Sequence, residues 1–451
     1  MSNQRIRFMR PTPACVAGMA VLLLLTGCGN WSDDVVRYRQ VLDGTEPATR
    51  PAYDGTEALP LVRALQLANA DNEAIATQGE NYVQALAEKM RQAGTFLPTL
   101  SLGPTYSLSG TSGGTAHRLT VPVSASATGS LANVANLEAA GQNAQQRAQV
   151  LLNERETILL QVVQAYYTVI KAERQAEVYE NSLKLKAERL RDQEARLKLE
   201  NAKPLDVAQS QADLAGTRVA LTQARTDAAN ARSALARLMG TATVAGPLTD
   251  AYVLPTEIPA LDQWQQQAET GRQDLQAATL TVEATRSGLD AAIRQYYPSV
   301  TINFDYYLHS DPASIQNWTG GVSAHLPIFS ALAIEADIRK AWSVYRQAGL
   351  SVSQTRRQVV DDVNQGYQNL QNSRQKIADL QTQVDAAQRA LALAERAYEL
   401  GATSNLDRLT QQDAALTAQL NLVSEQLSAK TNHLVLLRAT GQLGRVIQNQ
   451  P

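Results

Sequence analysis

Four histidines, two cysteines and one glycine-rich run are the residues of this 451-residue chain whose chemistry bears first inspection. Histidine can serve as base or metal ligand, but only beside a second donor or a nucleophile at short, regular spacing. None of the four has such a partner motif. His117 and His309 fall where strands are joined, His325 on the polar side of a strand, and His433 in the last helix. Gly110-Thr111-Ser112-Gly113-Gly114-Thr115 is rich in glycine, yet it lacks the lysine and the following helix of a phosphate-binding loop. It reads as a loop between strands. The sequence offers no catalytic residue, no metal ligand set and no cofactor site.

The cysteines point to a membrane surface. Arg5, Arg7 and Arg10 open the chain, no acidic residue precedes Asp33, and an apolar run extends from Ala14 to Leu25. That run is shorter than the ~20 residues of a spanning helix and has the shape of a secretory signal core. It closes on Leu25-Thr26-Gly27-Cys28, which resembles the bacterial lipobox. Residues 1–27 are expected to be a lipoprotein signal peptide and Cys28 the acylated first residue of a lipidated segment, 28–59. Gly29, where an aspartate would resemble an inner-membrane retention signal, favours the outer membrane. With Cys15 removed and Cys28 acylated, no thiol is left for disulfides, metals or nucleophilic catalysis. Without the three early arginines, 38 basic residues face 43 acidic ones, a net charge of about −5 with histidine neutral. That balance argues against nucleic acid as a partner.

The elements come in two copies. At a shift of 200 residues Leu61 meets Leu261, Ala68 meets Ala268, Phe96-Leu97-Pro98-Thr99 meets Tyr296-Tyr297-Pro298-Ser299, Tyr106 meets Tyr306 and Tyr167 meets Tyr367. After one inserted residue Leu205-Asp206 meets Leu406-Asp407, and Gly240 meets Gly441. A register held this long marks a duplication, with repeats at 60–240 and 260–441, an irregular connector at 241–259 and a tail at 442–451. Each repeat predicts a short helix, a helix of some two dozen residues, a strand pair, a very long helix (about 132–200 and 331–400), a break, and a closing helix.

The strand pairs are expected at about 98–109 and 118–129, then 298–309 and 317–329. They alternate. Leu100, Leu102, Tyr106 and Leu108 share one face, as do Ile302, Phe304, Tyr306 and Leu308, while Ser101, Asn303 and Asp305 lie opposite. In the return stretches Val121 and Val123 oppose Thr120 and Ser124, and Trp318, Val322, Ala324, Leu326 and Ile328 oppose Thr319, Ser323 and His325. Strands of 10–12 residues suit a tilted bilayer crossing, and Phe96, Tyr296, Tyr297, Trp318 and Phe329 cluster near their ends like an interfacial girdle. Pro122 cannot donate to a ladder and is expected to mark a bulge. Four strands cannot close a membrane barrel, and an open edge in lipid is forbidden, so several copies must share one. This arithmetic does not set their number.

The duplicated aromatic-aromatic/Leu-Pro strand entries, the Leu326-Pro327-Ile328-Phe329 strand exit and the helix break Gly401-Ala402-Thr403-Ser404-Asn405-Leu406-Asp407 together resemble the TolC and OprM family of outer-membrane efflux proteins. The resemblance spans about 55–441. The first repeat departs from the pattern in lacking the strand exit and in carrying Pro204 at its helix break. The resemblance implies a mainly α chain that adds four strands to a shared β-barrel and long helices to a periplasmic α-barrel, closed as a homotrimer. It implies an outer-membrane exit duct for efflux or type I secretion, docked to a periplasmic adaptor and through it to an inner-membrane pump. It makes Leu100, Leu102, Tyr106, Ile302, Phe304 and Tyr306 lipid-facing.

It also implies a gate at the helix breaks. Asp407 aligns with an acidic ring position, Asp206 with a tip aspartate of the first repeat, and Tyr398 with a tyrosine that holds the tip closed, here by donating to Asp206. The family's second ring aspartate is Thr410 here, and its gating arginine is Thr403. The aspartates equally suit helix capping, where an acidic group favours the dipole. The charges from Lys184 to Glu200 predict pairs Lys184–Glu188, Asp192–Arg196 and Glu194–Lys198 on a solvated face, or else an adaptor-docking patch. Two other classes would explain the lipobox and long helices, a periplasmic adaptor lipoprotein and a structural coiled-coil lipoprotein. The first would have one hairpin, and the second would not need the strands.

Overall fold

The computed structural model describes residues 32–43, 53–111, 114–200, 203–311 and 317–448, in two units that divide after Thr49. In the first unit Ser32–Asp43 forms helix α1. The second unit carries both repeats. Cys28 lies outside the described residues.

The first repeat runs β1 (Leu59–Pro60), α2 (Leu61–Asp71), α3 (Glu73–Gly94), β2 (Thr99–Leu102), β3 (Thr105–Thr111), β4 (Gly114–Gly129), α4 (Leu131–Lys198) and α5 (Pro204–Leu238). The second runs β5 (Leu248–Thr249), α6 (Leu261–Gly271), α7 (Gln273–Ile293), β6 (Ser299–Asp311), β7 (Trp318–His325), α8 (Ala333–Glu399) and α9 (Asn405–Ala439), followed by α10 (Leu443–Gln448). Local chemistry sets several starts. The Asn72 side chain accepts from the Ala74 and Ile75 amides to open α3, and Ser130 accepts from Asn133 to open α4. α4 and α8 have 68 and 67 residues, so each extends ~100 Å. Such helices have no core of their own and pack laterally. α4 coils with α5, α8 coils with α9, and α3, α4, α7 and α8 lie side by side in that order.

The duplication recurs in close contacts. Gly240 and Gly441 both have positive φ, 67° and 71°, and a Cβ on either would collide with the carbonyl that ends the repeat's short helix, of Asp71 or Gly271. Asn72 donates to the Leu238 carbonyl at 2.9 Å, and Arg272, its counterpart, to the Ala439 carbonyl at 3.5 Å. The connector at 241–259 is more ordered than an irregular segment, because β5 pairs with β1 in parallel. The buried Tyr166 hydroxyl reaches the Leu59 carbonyl at 2.7 Å and that of Thr249 at 2.9 Å. In the second repeat Trp264 and Ala268 pack on Val359, Val363, Leu370 and Leu436.

The strands form one antiparallel sheet, β2–β4–β6–β7, with β3 also beside β4. Two details differ from the alternation pattern. The first strand is two, broken at Gly103-Pro104, since Pro104 has no amide to donate. The last strand stops at His325 rather than 329. Pro327 ends the pairing, and the positive φ of Ala331 and Leu332 turns the chain into α8. Leu326, Ile328 and Phe329 therefore lie outside the sheet. At Pro122 the register shifts. Val121 opposes His309 and Pro122 opposes Tyr307, which leaves Leu308 as the extra residue of a bulge.

Candidate functional site

Register puts like with like across the sheet. Leu100 opposes Ala125 and Leu102 opposes Val123; on the next pair Val123 meets Tyr306, Ala125 meets Phe304 and Ala127 meets Ile302; on the last, Tyr306 meets Trp318 and Ile302 meets Val322. Tyr106, across from Leu119, falls on the same face. One side of the sheet is thus apolar from edge to edge. None of the described residues covers it: Leu100 is 66% exposed, Tyr106 60%, Ile302 54% and Val322 73%. Soluble monomers rarely leave a contiguous patch of this kind open. Phe304 and Trp318 stack on it, ring centroids 5.9 Å apart, and a Cβ added at Gly320 would make ordinary contact with both rings, at 3.5 and 3.7 Å.

The other side is hydroxylic. Thr99 and Ser126 hydroxyls meet at 2.9 Å, Thr128 and Thr301 at 3.0 Å, and Thr319 lies 3.4 Å from the Asp305 carboxylate. The two edges of the sheet, β2/β3 and β7, keep unpaired backbone. The same two ends are open in the helix row, where α3 leads into β2 and α8 follows β7.

The opposite end holds the helix breaks. Pro204 starts α5 with Asp206 in its first turn. The second break turns on Gly401, at φ 74°, and Ser404 then caps α9. Asp407 completes a capping box. Its Oδ2 accepts from the Ser404 hydroxyl at 2.6 Å, the Thr403 hydroxyl at 3.0 Å and the Ser404 amide at 3.2 Å. These donors, the Ser404 hydroxyl first, hold its carboxyl below the usual aspartate range. Thr403, standing where the family resemblance implies an arginine, is thus a cap donor.

Tyr398 does not reach Asp206. Its hydroxyl lies 2.9 Å from Gln193 Nε2 and 3.1 Å from Gln193 Oε1, and the Arg408 guanidinium sits over its ring at 4.4 Å. It is the Asp206 backbone carbonyl that is engaged across the coils, by Asn405 Nδ2 at 3.2 Å. Arg408 also donates to Asn405 Oδ1 at 2.7 Å, and burial pushes its guanidinium down from the ordinary arginine value.

About two turns up, Lys186 is buried and donates to Asp213 at 2.6 Å and Asp413 at 3.0 Å. Arg189 meets Glu395 and Gln412. These contacts tie α4 and α5 to α8 and α9. The paired charges expected on a solvated face, Lys184, Glu188, Asp192, Glu194, Arg196 and Lys198, are exposed or half-exposed, while Lys186 and Gln193 of the same stretch are buried because α9 packs against α4 there. Asp192–Arg196 pairs at 2.9 Å, but Lys184 pairs with Glu180 rather than Glu188. Glutamate four residues before lysine is the better orientation on a helix. Among the described residues no His, Cys, Asp or Glu cluster could hold a metal, and no helix is long and apolar enough to cross a membrane.

Known proteins share this arrangement. Residues 264–442 match the family model described as outer membrane efflux protein. The outer membrane efflux protein BepC of Brucella suis is 24% identical over 298 residues, 65% of this chain and 65% of BepC. The probable efflux pump outer membrane protein TtgC of Pseudomonas putida is 29% identical over 302 residues, 63% of this chain and 60% of TtgC. The chain thus spans less than two thirds of the length of these relatives. The outer membrane channel CmeC of Campylobacter jejuni superposes with a TM-score of 0.77 at 15% identity, over 85% of this chain and 86% of that one. The outer membrane protein VceC of Vibrio cholerae gives 0.74 at 20%, over 84% and 96%. Residues 264–442 are thus similar to the outer membrane efflux protein family, and the fold of the chain is that of the solved proteins CmeC and VceC.

Proposed function

We propose that the chain is one third of an outer-membrane exit duct. Three copies share a twelve-stranded barrel continued by a helical tunnel, through which solutes delivered by an inner-membrane pump and a periplasmic adaptor leave the cell. The observation that carries this is the sheet, with its two chemically opposite faces and two unpaired edges. The uncovered apolar face suits hydrocarbon and the hydroxylic face suits water. Edges β2/β3 and β7 suit head-to-tail pairing between copies, the only arrangement that leaves no open ladder in lipid. The open ends of the helix row fall at the same seams. The lipid on Cys28 would add an anchor to a body the barrel already holds.

The tip is the gate in this reading. Asp407, three per duct, supplies fixed negative charge at the turn. The closed state is held by the bonds that join the coils, Lys186 to Asp413 and Tyr398 to Gln193, with Asp206 contributing its carbonyl. The test is heat-modifiable migration. A duct appears in the outer-membrane fraction as a large oligomer that survives detergent and collapses to monomer on boiling. A monomer recovered from the periplasm would favour the adaptor or coiled-coil alternatives.

A further inference from the structure

The hydroxylic face of the sheet carries one acidic side chain among the described residues, Asp305. We propose that Asp305 sets a charge preference inside the barrel itself, far from the tip, so that the duct admits cationic and neutral solutes more readily than anionic ones. The proposal rests on the exit-duct reading, because only a closed barrel turns one carboxylate per chain into a ring.

Position argues first. Asp305 is central on β6, opposite Ser124 of β4 and Thr319 of β7. Its neighbours on that face, Asn303, Ser124, Ser126, Thr301 and Thr319, are uncharged. The Thr319 hydroxyl, at 3.4 Å, is its side-chain partner, and a hydroxyl does not neutralise it. The face also carries Arg118, opposite Ser107, and His325, opposite Ser299. Each is six residues along a strand from the level of Asp305, ~20 Å at ~3.3 Å per residue. Two Debye lengths at 0.1 M salt separate them. Asp305 therefore acts as an isolated negative site.

Orientation argues second. The adjacent residues Phe304 and Tyr306 hold the apolar face, and Phe304 is pinned there by its stack on Trp318. A carboxylate on that side would meet hydrocarbon at a cost of several kcal/mol. Period-2 geometry sends Asp305 the other way, into the lumen. Rings of acidic side chains are a common cation filter. In a wide lumen their reach is set by screening, ~10 Å at 0.1 M and ~3 Å at 1 M. The preference is accordingly present near 0.1 M, where Arg118 is still screened from Asp305, and lost near 1 M.

The test uses the full chain in planar bilayers under a KCl gradient, reading the reversal potential. Wild-type channels should prefer potassium over chloride, and D305N should reduce that permeability ratio by about two- to threefold near 0.1 M and little near 1 M. D305E should keep the wild-type ratio. N303D, which adds a carboxylate on the same face one pleat away, should raise it without requiring any loss at Asp305. D407N serves as the comparison at the tip, and its effect should add to that of D305N. Conducting wild-type channels whose ratio is unchanged in both D305N and N303D overturn this inference alone. A wild-type protein that never conducts overturns the exit-duct reading together with it.

Discussion

The Tyr398 phenol lies 2.9 Å from the Gln193 side-chain nitrogen, so the tip of the second coil is tied to the first by a neutral hydrogen bond under a stacked arginine. Its aligned partner, Asp206, contributes backbone instead. Arg408 covers the tyrosine ring and bonds Asn405, and Asn405 in turn donates to the Asp206 carbonyl. Tyr398→Phe should therefore weaken the closed tip by about 1 kcal/mol per chain, the net value of one ordinary hydrogen bond. Asp206→Ala should change it little. Closed-state conductance in planar bilayers separates the two, and an Asp206→Ala effect larger than that of Tyr398→Phe would contradict the assignment.

Lys186 is the stronger tie. Removing its charge strands Asp213, which is mostly buried, and Asp413, which is 57% exposed on its side chain. Breaking a fully buried pair costs about 3–5 kcal/mol, and water at Asp413 discounts this, so Lys186→Met should cost about 1–3 kcal/mol per chain. Channels of this variant should open more often than wild type while the oligomer still migrates intact. Unchanged gating would make Lys186 a packing residue only.

Cysteine scanning along β6 tests the faces. Positions 301, 303, 305 and 307 should react with a water-soluble thiol reagent, and 302, 304 and 306 should not. The bulge at Leu308 resets the alternation, so that His309 joins the outward row opposite Val121. Strict alternation continuing through 309 would contradict the register. Arginine at Phe304 should cost ~2–4 kcal/mol if that position sits near the bilayer midplane.

Acid should loosen the seam of the second repeat. Burial alone would raise the Asp274 carboxyl, but Arg272 bonds both its oxygens, at 2.9 and 2.6 Å, and holds it below its ordinary 3.8. A depressed folded-state value means the stabilisation is present above about pH 3.8 and is lost as pH falls through the folded value. Wild-type stability should drop across that window more than that of Asp274→Asn, as followed by denaturant unfolding at stepped pH. Parallel curves would remove Asp274 from the account.

The anchor is tested at the N-terminus. From Leu25-Thr26-Gly27-Cys28, mass spectrometry of the mature protein should find an acylated cysteine. Cys28→Ser should impair anchoring more than oligomer assembly. An unmodified terminus at another residue would sink the idea.

Much of the fold was legible because two periods are written plainly in the chain. The 200-residue repeat predicts two hairpins and two strand pairs, and the alternation around Ile302, Phe304 and Tyr306 predicts their faces. What was not legible depends on partners hundreds of residues away. Lys186 looks like any exposed lysine among the charges of α4, and only α9 packing against it, with Asp413 across the gap, makes it buried. Gln193 carries no charge and no motif, yet it is fully buried and receives Tyr398. The signal that existed was weak: an uncharged Gln193 between Asp192 and Glu194, on the side of the helix away from solvent.

The central claim is that several copies share one barrel through the edges of this sheet. In one chain β2 and β7 lie three strand spacings apart, ~14 Å, twice the reach of a disulfide. Cysteines placed in pairs, one on Thr99–Leu102 and one on Trp318–His325, can therefore bond only between copies. The direct measurement is the ladder of oxidised species from outer membranes on a denaturing gel. The account predicts that some register of pairs gives dimer and trimer and stops at three. No cross-link in any register, or a ladder that runs on past three, would contradict it.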